Sequence, residues 1–173
     1  SYDFEENIRR VSAVASLAHA KGISVEAELG HVGTAADGDG LNTDYYTYVA
    51  QAKEFVWRTG CDCLAVASGT AHGSYPKNRI PRLDFDRLKE LKSALTVPLV
   101  LHGGSGAGAE NISKAVACGI NKINVCTDLM NHAKESLLRT LKEDPDIQYM
   151  ELNEALEESM KGFIKSYMRL IGS

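Results

Sequence analysis

Two histidines, a glutamate and an asparagine stand where short apolar runs end. They are Glu28 in Ala27-Glu28-Leu29-Gly30, His72 in Gly69-Thr70-Ala71-His72-Gly73, His102 in Leu101-His102-Gly103-Gly104-Ser105, and Asn124 in Lys122-Ile123-Asn124-Val125. Imidazoles from two different runs, each followed by a glycine that lets the backbone approach a ligand, suit a catalytic Zn2+. Such an ion takes three protein ligands and keeps one position open for water or substrate. Either histidine alone is equally well read as a polar side chain satisfied by backbone at the start of a loop, but the pair at equivalent positions favours a shared metal. A third ligand is still required. Glu28 can supply it, or can serve instead as a hydrogen-bonded carboxylate, while Glu26, two residues earlier, falls on the same side of an extended segment but deeper.

The run Gly103-Gly104-Ser105-Gly106-Ala107-Gly108 offers successive N–H groups without side-chain bulk and leads into a predicted helix, an arrangement that attracts phosphate or that simply makes a flexible turn. Thr127 adds a hydroxyl and an N–H at a second helix start. The remaining candidates carry no assigned chemistry. His19 and His132 fall inside helical patterns and read as surface residues. Cys61 and Cys63 flank Asp62 at a strand start, Glu157 and Glu158 read as a solvated helix face, and Cys126 lacks a partnered base. Trp57 and the tyrosines at 45, 46 and 48 read as packing residues.

The elements that must position these groups alternate. Apolar residues Ile8, Val11, Val14, Ala15, Leu17 and Ala18 predict a helix over residues 4–21, with Asp3 and Glu6 as a capping box and Gly22 at its end. A strand over 23–29, a helix over 47–59 and a strand over 63–67 follow. Asp84 caps the next helix, whose apolar face is Phe85, Leu88, Leu91 and Leu95, and Pro98 precedes a strand at 99–101. A short helix ending at Gly119, a strand at 120–125 and helices over 127–141 and 146–170 complete the chain. Strands that are apolar on both faces and alternate with helices predict a parallel α/β sheet. A closed eight-stranded barrel takes about 250 residues, so four strands amount to about half of one, or to a small open doubly wound sheet. No low-complexity linker interrupts residues 1–173, which predicts a single domain.

The composition excludes several classes. The chain has 173 residues, 44% hydrophobic and 24% charged, with a formal net charge of −4 and scattered basic residues, so no electrostatic footprint for nucleic acid is expected. No apolar run is long enough to cross a bilayer, and no secretion signal is visible at the first residues. Four irregularly spaced cysteines do not form a disulfide framework or a zinc ribbon, which predicts a reducing, cytoplasmic setting.

Taken together, Val25-Glu26-Ala27-Glu28-Leu29-Gly30, Gly69-Thr70-Ala71-His72-Gly73, Leu101-His102-Gly103-Gly104-Ser105-Gly106 and Lys122-Ile123-Asn124-Val125 resemble the zinc-dependent class II ketose-bisphosphate aldolases, the tagatose-bisphosphate branch most and the fructose-bisphosphate branch next. The resemblance implies the carboxy-terminal half of a (β/α)8 barrel, strands five to eight. It implies cleavage of a ketose 1,6-bisphosphate to dihydroxyacetone phosphate and an aldehyde phosphate, and a homo-oligomer in the full-length form. It makes His72 and His102 zinc ligands and Glu28 a carboxylate near the metal. Gly73, Gly103, Gly104, Ser105, Asn124, Val125, Cys126 and Thr127 would then hold the triose phosphate. Two departures stand out. The family's Asp-His pair, source of the third zinc histidine and a proton-shuttling aspartate, has no counterpart here. Ala36 also stands where many members carry a proton-exchanging glutamate, so Asp37 or Asp39 would have to substitute. The expectation is a chain with metal and phosphate ligands but negligible turnover alone. The rivals are a non-catalytic phosphosugar-binding module and a zinc-dependent phosphosugar hydrolase that uses Glu28 to activate water.

Overall fold

The structure, a computed structural model, describes residues 2–34, 45–73, 75 and 81–172. The element order is α1 (Phe4–His19), β1 (Glu26–Leu29), α2 (Val49–Thr59), β2 (Cys63–Val66), α3 (Phe85–Ala94), β3 (Leu99–Leu101), α4 (Ala109–Ala117), β4 (Ile120–Ile123), α5 (Thr127–Glu143) and α6 (Tyr149–Ile171). The chain divides into two compact units, Ser1–Asn124 and Val125–Ser173.

In the first unit all strand pairs are parallel and the order is β1-β2-β3-β4. A doubly wound sheet reverses its strand order at a switch point, whereas a barrel adds each strand on the same side of the last. The uninterrupted order is therefore that of a barrel arc, and the four parallel strands with crossover helices match the fold class expected from the sequence. Ala27, Leu29, Leu64, Val66, Leu99 and Leu101 alternate onto one face of the sheet and are buried. Glu26 and Glu28 occupy the opposite face, in register with the small side chains of Cys63 and Ala65, and Val100 in turn pairs with Lys122. Phe55 from α2, Leu88 and Leu91 from α3, and Ile112 and Ala115 from α4 complete the core.

Local signals explain the helix ends. The Asp3 carboxylate accepts from the Glu6 amide at 2.9 Å, and Asp84 accepts from Arg87 in the same way. Glu6 does not reach back as a capping box would; its carboxylate pairs with Arg9 at 2.6 Å and Arg10 at 2.7 Å, one turn on. Gly60 ends α2 in the left-handed conformation at φ +66°, where a side chain would be strained.

Three packing expectations are corrected. On α1 only Ile8 and Ala15 are buried, while Val14 and Leu17 sit on the flank of that stripe and are 54% and 72% exposed. On α2, Trp57 is 83% exposed, because it lies two residues, more than half a turn, from the buried Phe55. Tyr45 and Tyr48 are also exposed, and Tyr46 is half-buried. Thr47 does not begin α2. It is buried, its hydroxyl donates to the Leu29 carbonyl at 2.5 Å and accepts from the Ala67 amide at 2.8 Å, and it thereby ties the carboxyl ends of β1 and β2 together.

In the second unit α5 and α6 form a helical hairpin. His132 is half-buried within it, its ring tilted against Phe163 with centroids 5.0 Å apart and its Nε2 3.0 Å from the Ser159 hydroxyl, rather than free on the surface. Among the described residues no helix is long and apolar enough to cross a membrane.

Candidate metal centre

The carboxyl ends of β1, β2 and β3 bring Glu28, His72 and His102 together. Each offers one ligand atom, and these atoms lie within 4.8 Å of one another. The two imidazole rings have centroids 5.7 Å apart. Tetrahedral coordination at about 2.0–2.2 Å places donor atoms roughly 3.4 Å from each other, so side-chain rotations alone close this set around one ion. Two neutral nitrogens and one carboxylate oxygen are the donor types Zn2+ takes, and the residues fit that ion.

Backbone contacts between loops fix the histidines. His72 forms a parallel bridge with Thr34 and donates its amide to the Gly33 carbonyl at 3.0 Å, which pins the loop after β2 to the one after β1. The buried Thr70 hydroxyl donates to the His102 carbonyl at 2.7 Å. The Tyr75 hydroxyl accepts from the Ala71 amide at 2.6 Å and lies 3.4 Å from the Gly103 carbonyl, spanning the loops that follow β2 and β3. Gly103 has φ +65°, and a Cβ there would come within 2.5 Å of the Ala71 backbone. The two histidine-bearing loops approach this closely only because residue 103 has no side chain.

His102 lies between two carboxylates, with Nδ1 2.6 Å from Glu28 Oε2 and Nε2 3.0 Å from Glu26 Oε1. The hydrogen bond to Glu28 raises its pKa above 6.5, burial opposes the rise and the bond to Glu26 supports it. Glu26 also accepts from Lys122 Nζ at 2.8 Å, and the Lys122 ammonium reaches Asn124 Oδ1 at 2.5 Å. Burial pulls the Glu26 carboxyl upward, but the bonds and charges of Lys122 and His102 outweigh it and hold the pKa below its ordinary value. Cys63, with Sγ 3.7 Å from Glu26, is raised by burial and by that neighbouring charge, so its thiol stays protonated and is a poor ligand.

Of the residues assigned to the phosphate, Gly73, Gly103, Gly104, Ser105 and Asn124 lie in the first unit, and Val125, Cys126 and Thr127 in the second. Ser105 is buried, a Cβ at Gly73 would meet nothing among the described residues, and Gly104 packs against Ile112. Helix α4 follows Gly108, which offers no side-chain cap and so leaves N–H groups of the first turn for an anion. Helix α5 likewise starts after Cys126 without one. Ala36, Asp37 and Asp39 lie outside the described residues. Sequence alone marks none of Thr70, Tyr75 and Lys122 as part of the site and gives Glu26 no partner. Only the two-residue spacing of Glu26 and Glu28, and of Lys122 and Asn124, hinted that polar side chains would meet on one face.

The family model for class-II fructose-bisphosphate aldolase matches residues 1–173. The uncharacterized protein YdjI of Escherichia coli K12 is 41% identical over 174 residues, which cover all of this chain and 60% of that protein. The crystal structure of the YdjI aldolase superposes with a TM-score of 0.84 at 40% identity, over 99% of this chain and 58% of that one. A fructose-bisphosphate aldolase of Campylobacter jejuni shares the fold, with a TM-score of 0.77 at 23% identity over 97% and 56%. The chain thus spans about 60% of the length of the relatives it matches.

Proposed function

The chain belongs to the class-II fructose-bisphosphate aldolase family, and from that premise we propose that Glu28, His72 and His102 contribute to a Zn2+ site. There a ketose 1,6-bisphosphate of the tagatose or fructose type is cleaved to dihydroxyacetone phosphate and an aldehyde phosphate. The observation that supports this reading is the convergence of two imidazoles and a carboxylate, Glu28 near the end of β1, His72 in the loop after β2 and His102 just after β3, at the end of the sheet where barrel enzymes place their chemistry. Bound there, Zn2+ would supply Lewis acidity, stabilising the negative charge that develops as the carbon–carbon bond breaks. Gly73, Gly103, Gly104 and Ser105 hold the triose phosphate through backbone N–H groups and the uncapped start of α4, and Asn124 offers its amide. In the second unit Val125, Cys126 and Thr127 lead into another uncapped helix with the same affinity for anions. Asp37 is the candidate for proton exchange at the triose carbon. On this reading residues 1–173 form one partial barrel domain, and the outer edges of β1 and β4, which no described strand pairs, belong to a larger or oligomeric assembly.

The 173 residues contain no Asp-His pair, so by themselves they bind metal and phosphate with negligible turnover. That absence, with Ala36, also motivates a second reading as a non-catalytic phosphosugar-binding module. Zinc titration by calorimetry, followed by assays for triose phosphate and inorganic phosphate, separates the cases. One zinc per chain, lost in His72→Ala and His102→Ala, is expected. Phosphosugar binding without stoichiometric zinc would favour the binding module, and release of inorganic phosphate would favour a hydrolase.

A further inference from the structure

We propose that Glu26 is a positioning residue of this centre: it holds His102 through Nε2 and so presents Nδ1 as the metal-binding nitrogen. The inference rests on the zinc site proposed above. Residues 26 and 28 lie on one face of β1, one residue pair apart, and their carboxylates meet opposite edges of the same imidazole. Glu28, which clusters with His72, takes the Nδ1 edge at 2.6 Å. Glu26 stands outside that cluster and takes the Nε2 edge at 3.0 Å.

The two carboxylates differ in what else holds them. Both oxygens of Glu26 are engaged, Oε1 by His102 and Oε2 by Lys122 at 2.8 Å, and Lys122 is anchored in turn on Asn124. Glu26 is thus fixed by a cation on β4, across the sheet from β1, whereas Glu28 Oε2 is bound to the nitrogen that a metal would take. A ligating histidine ordinarily donates its other ring N–H to a carboxylate, which sets the tautomer and the ring plane. Glu26 supplies that carboxylate, and Lys122 keeps it charged and in place. Glu28 is then free to exchange its hydrogen bond with His102 for a bond to the ion.

The test uses the chain labelled with 15N in its histidines, together with Glu26→Ala and Glu26→Gln, each checked for folding by circular dichroism. Nitrogen NMR of the parent with and without zinc reads the metallated nitrogen directly and needs no variant. Nδ1 metallated, with a proton on Nε2, is expected. Zinc affinity should fall roughly 10- to 100-fold in Glu26→Ala, with part of the loss restored in Glu26→Gln, whose amide oxygen still accepts from Nε2. Zinc on Nε2 of His102, or unchanged affinity in a folded Glu26→Ala, overturns the assignment while leaving the metal centre intact. A parent chain that binds no zinc removes both.

Discussion

Substituting Gly103 by alanine tests whether the close approach of the two histidine loops builds the metal centre. Residue 103 has φ +65°, a region that costs an ordinary residue about 1–2 kcal/mol. Its Cβ would also meet Ala71 backbone atoms at 2.5, 2.5 and 2.8 Å, contacts relieved only by moving one loop. Overpacking of this kind costs roughly 1–3 kcal/mol, for a total of about 2–5 kcal/mol. Gly73 is the internal control, since at φ +93° it carries the backbone strain with nothing among the described residues within 4 Å of its Cβ. Gly73→Ala should therefore lose only about 1–2 kcal/mol. Urea unfolding of both variants gives the difference. Zinc titration reads its consequence, because displacing Ala71 moves the adjacent His72 away from His102 and should weaken binding in Gly103→Ala alone. Equal stability losses in the two variants, or full zinc affinity in Gly103→Ala, would refute the reasoning.

Thr70→Val removes the hydroxyl that donates to the His102 carbonyl and leaves a part-buried acceptor unpaired, so unfolding should show a loss of about 1–3 kcal/mol, with weaker zinc binding. Phe55→Ala empties a fully buried position beside Phe4 and should cost about 3–5 kcal/mol in denaturant unfolding without altering the zinc stoichiometry. The pH dependence of the metal centre follows from His102. Because its folded pKa is raised, its protonated contacts with Glu28 and Glu26 stabilise the metal-free fold fully below pH 6.5, and that contribution is lost as pH rises through the folded value. Zinc requires the neutral ring, so its affinity should rise through the same window, with a midpoint above 6.5 in calorimetric titrations from pH 5.5 to 8.5. A midpoint below 6.5 would contradict the paired-carboxylate geometry.

The sequence by itself determined the elements and the candidate ligands. Helical spacing and the caps at Asp3 and Asp84 are local signals, each written within a few residues. The alternation of strands with helices set the α/β class, and the position of Glu28, His72 and His102 at strand ends set the metal hypothesis. The tertiary structure decided what depends on residues distant in the chain. The partners of His102 lie 74 and 76 residues away, and only the packed side chains tell which carboxylate meets which ring nitrogen. The uninterrupted strand order chose a barrel arc over a doubly wound sheet, an alternative that the same alternating pattern had left open. Leu17 and Trp57 look like core residues by type, yet burial follows from which neighbour each helix face meets. For Gly103, composition suggested a cradle for phosphate, while packing revealed that its missing Cβ is also what lets one histidine loop rest against the other.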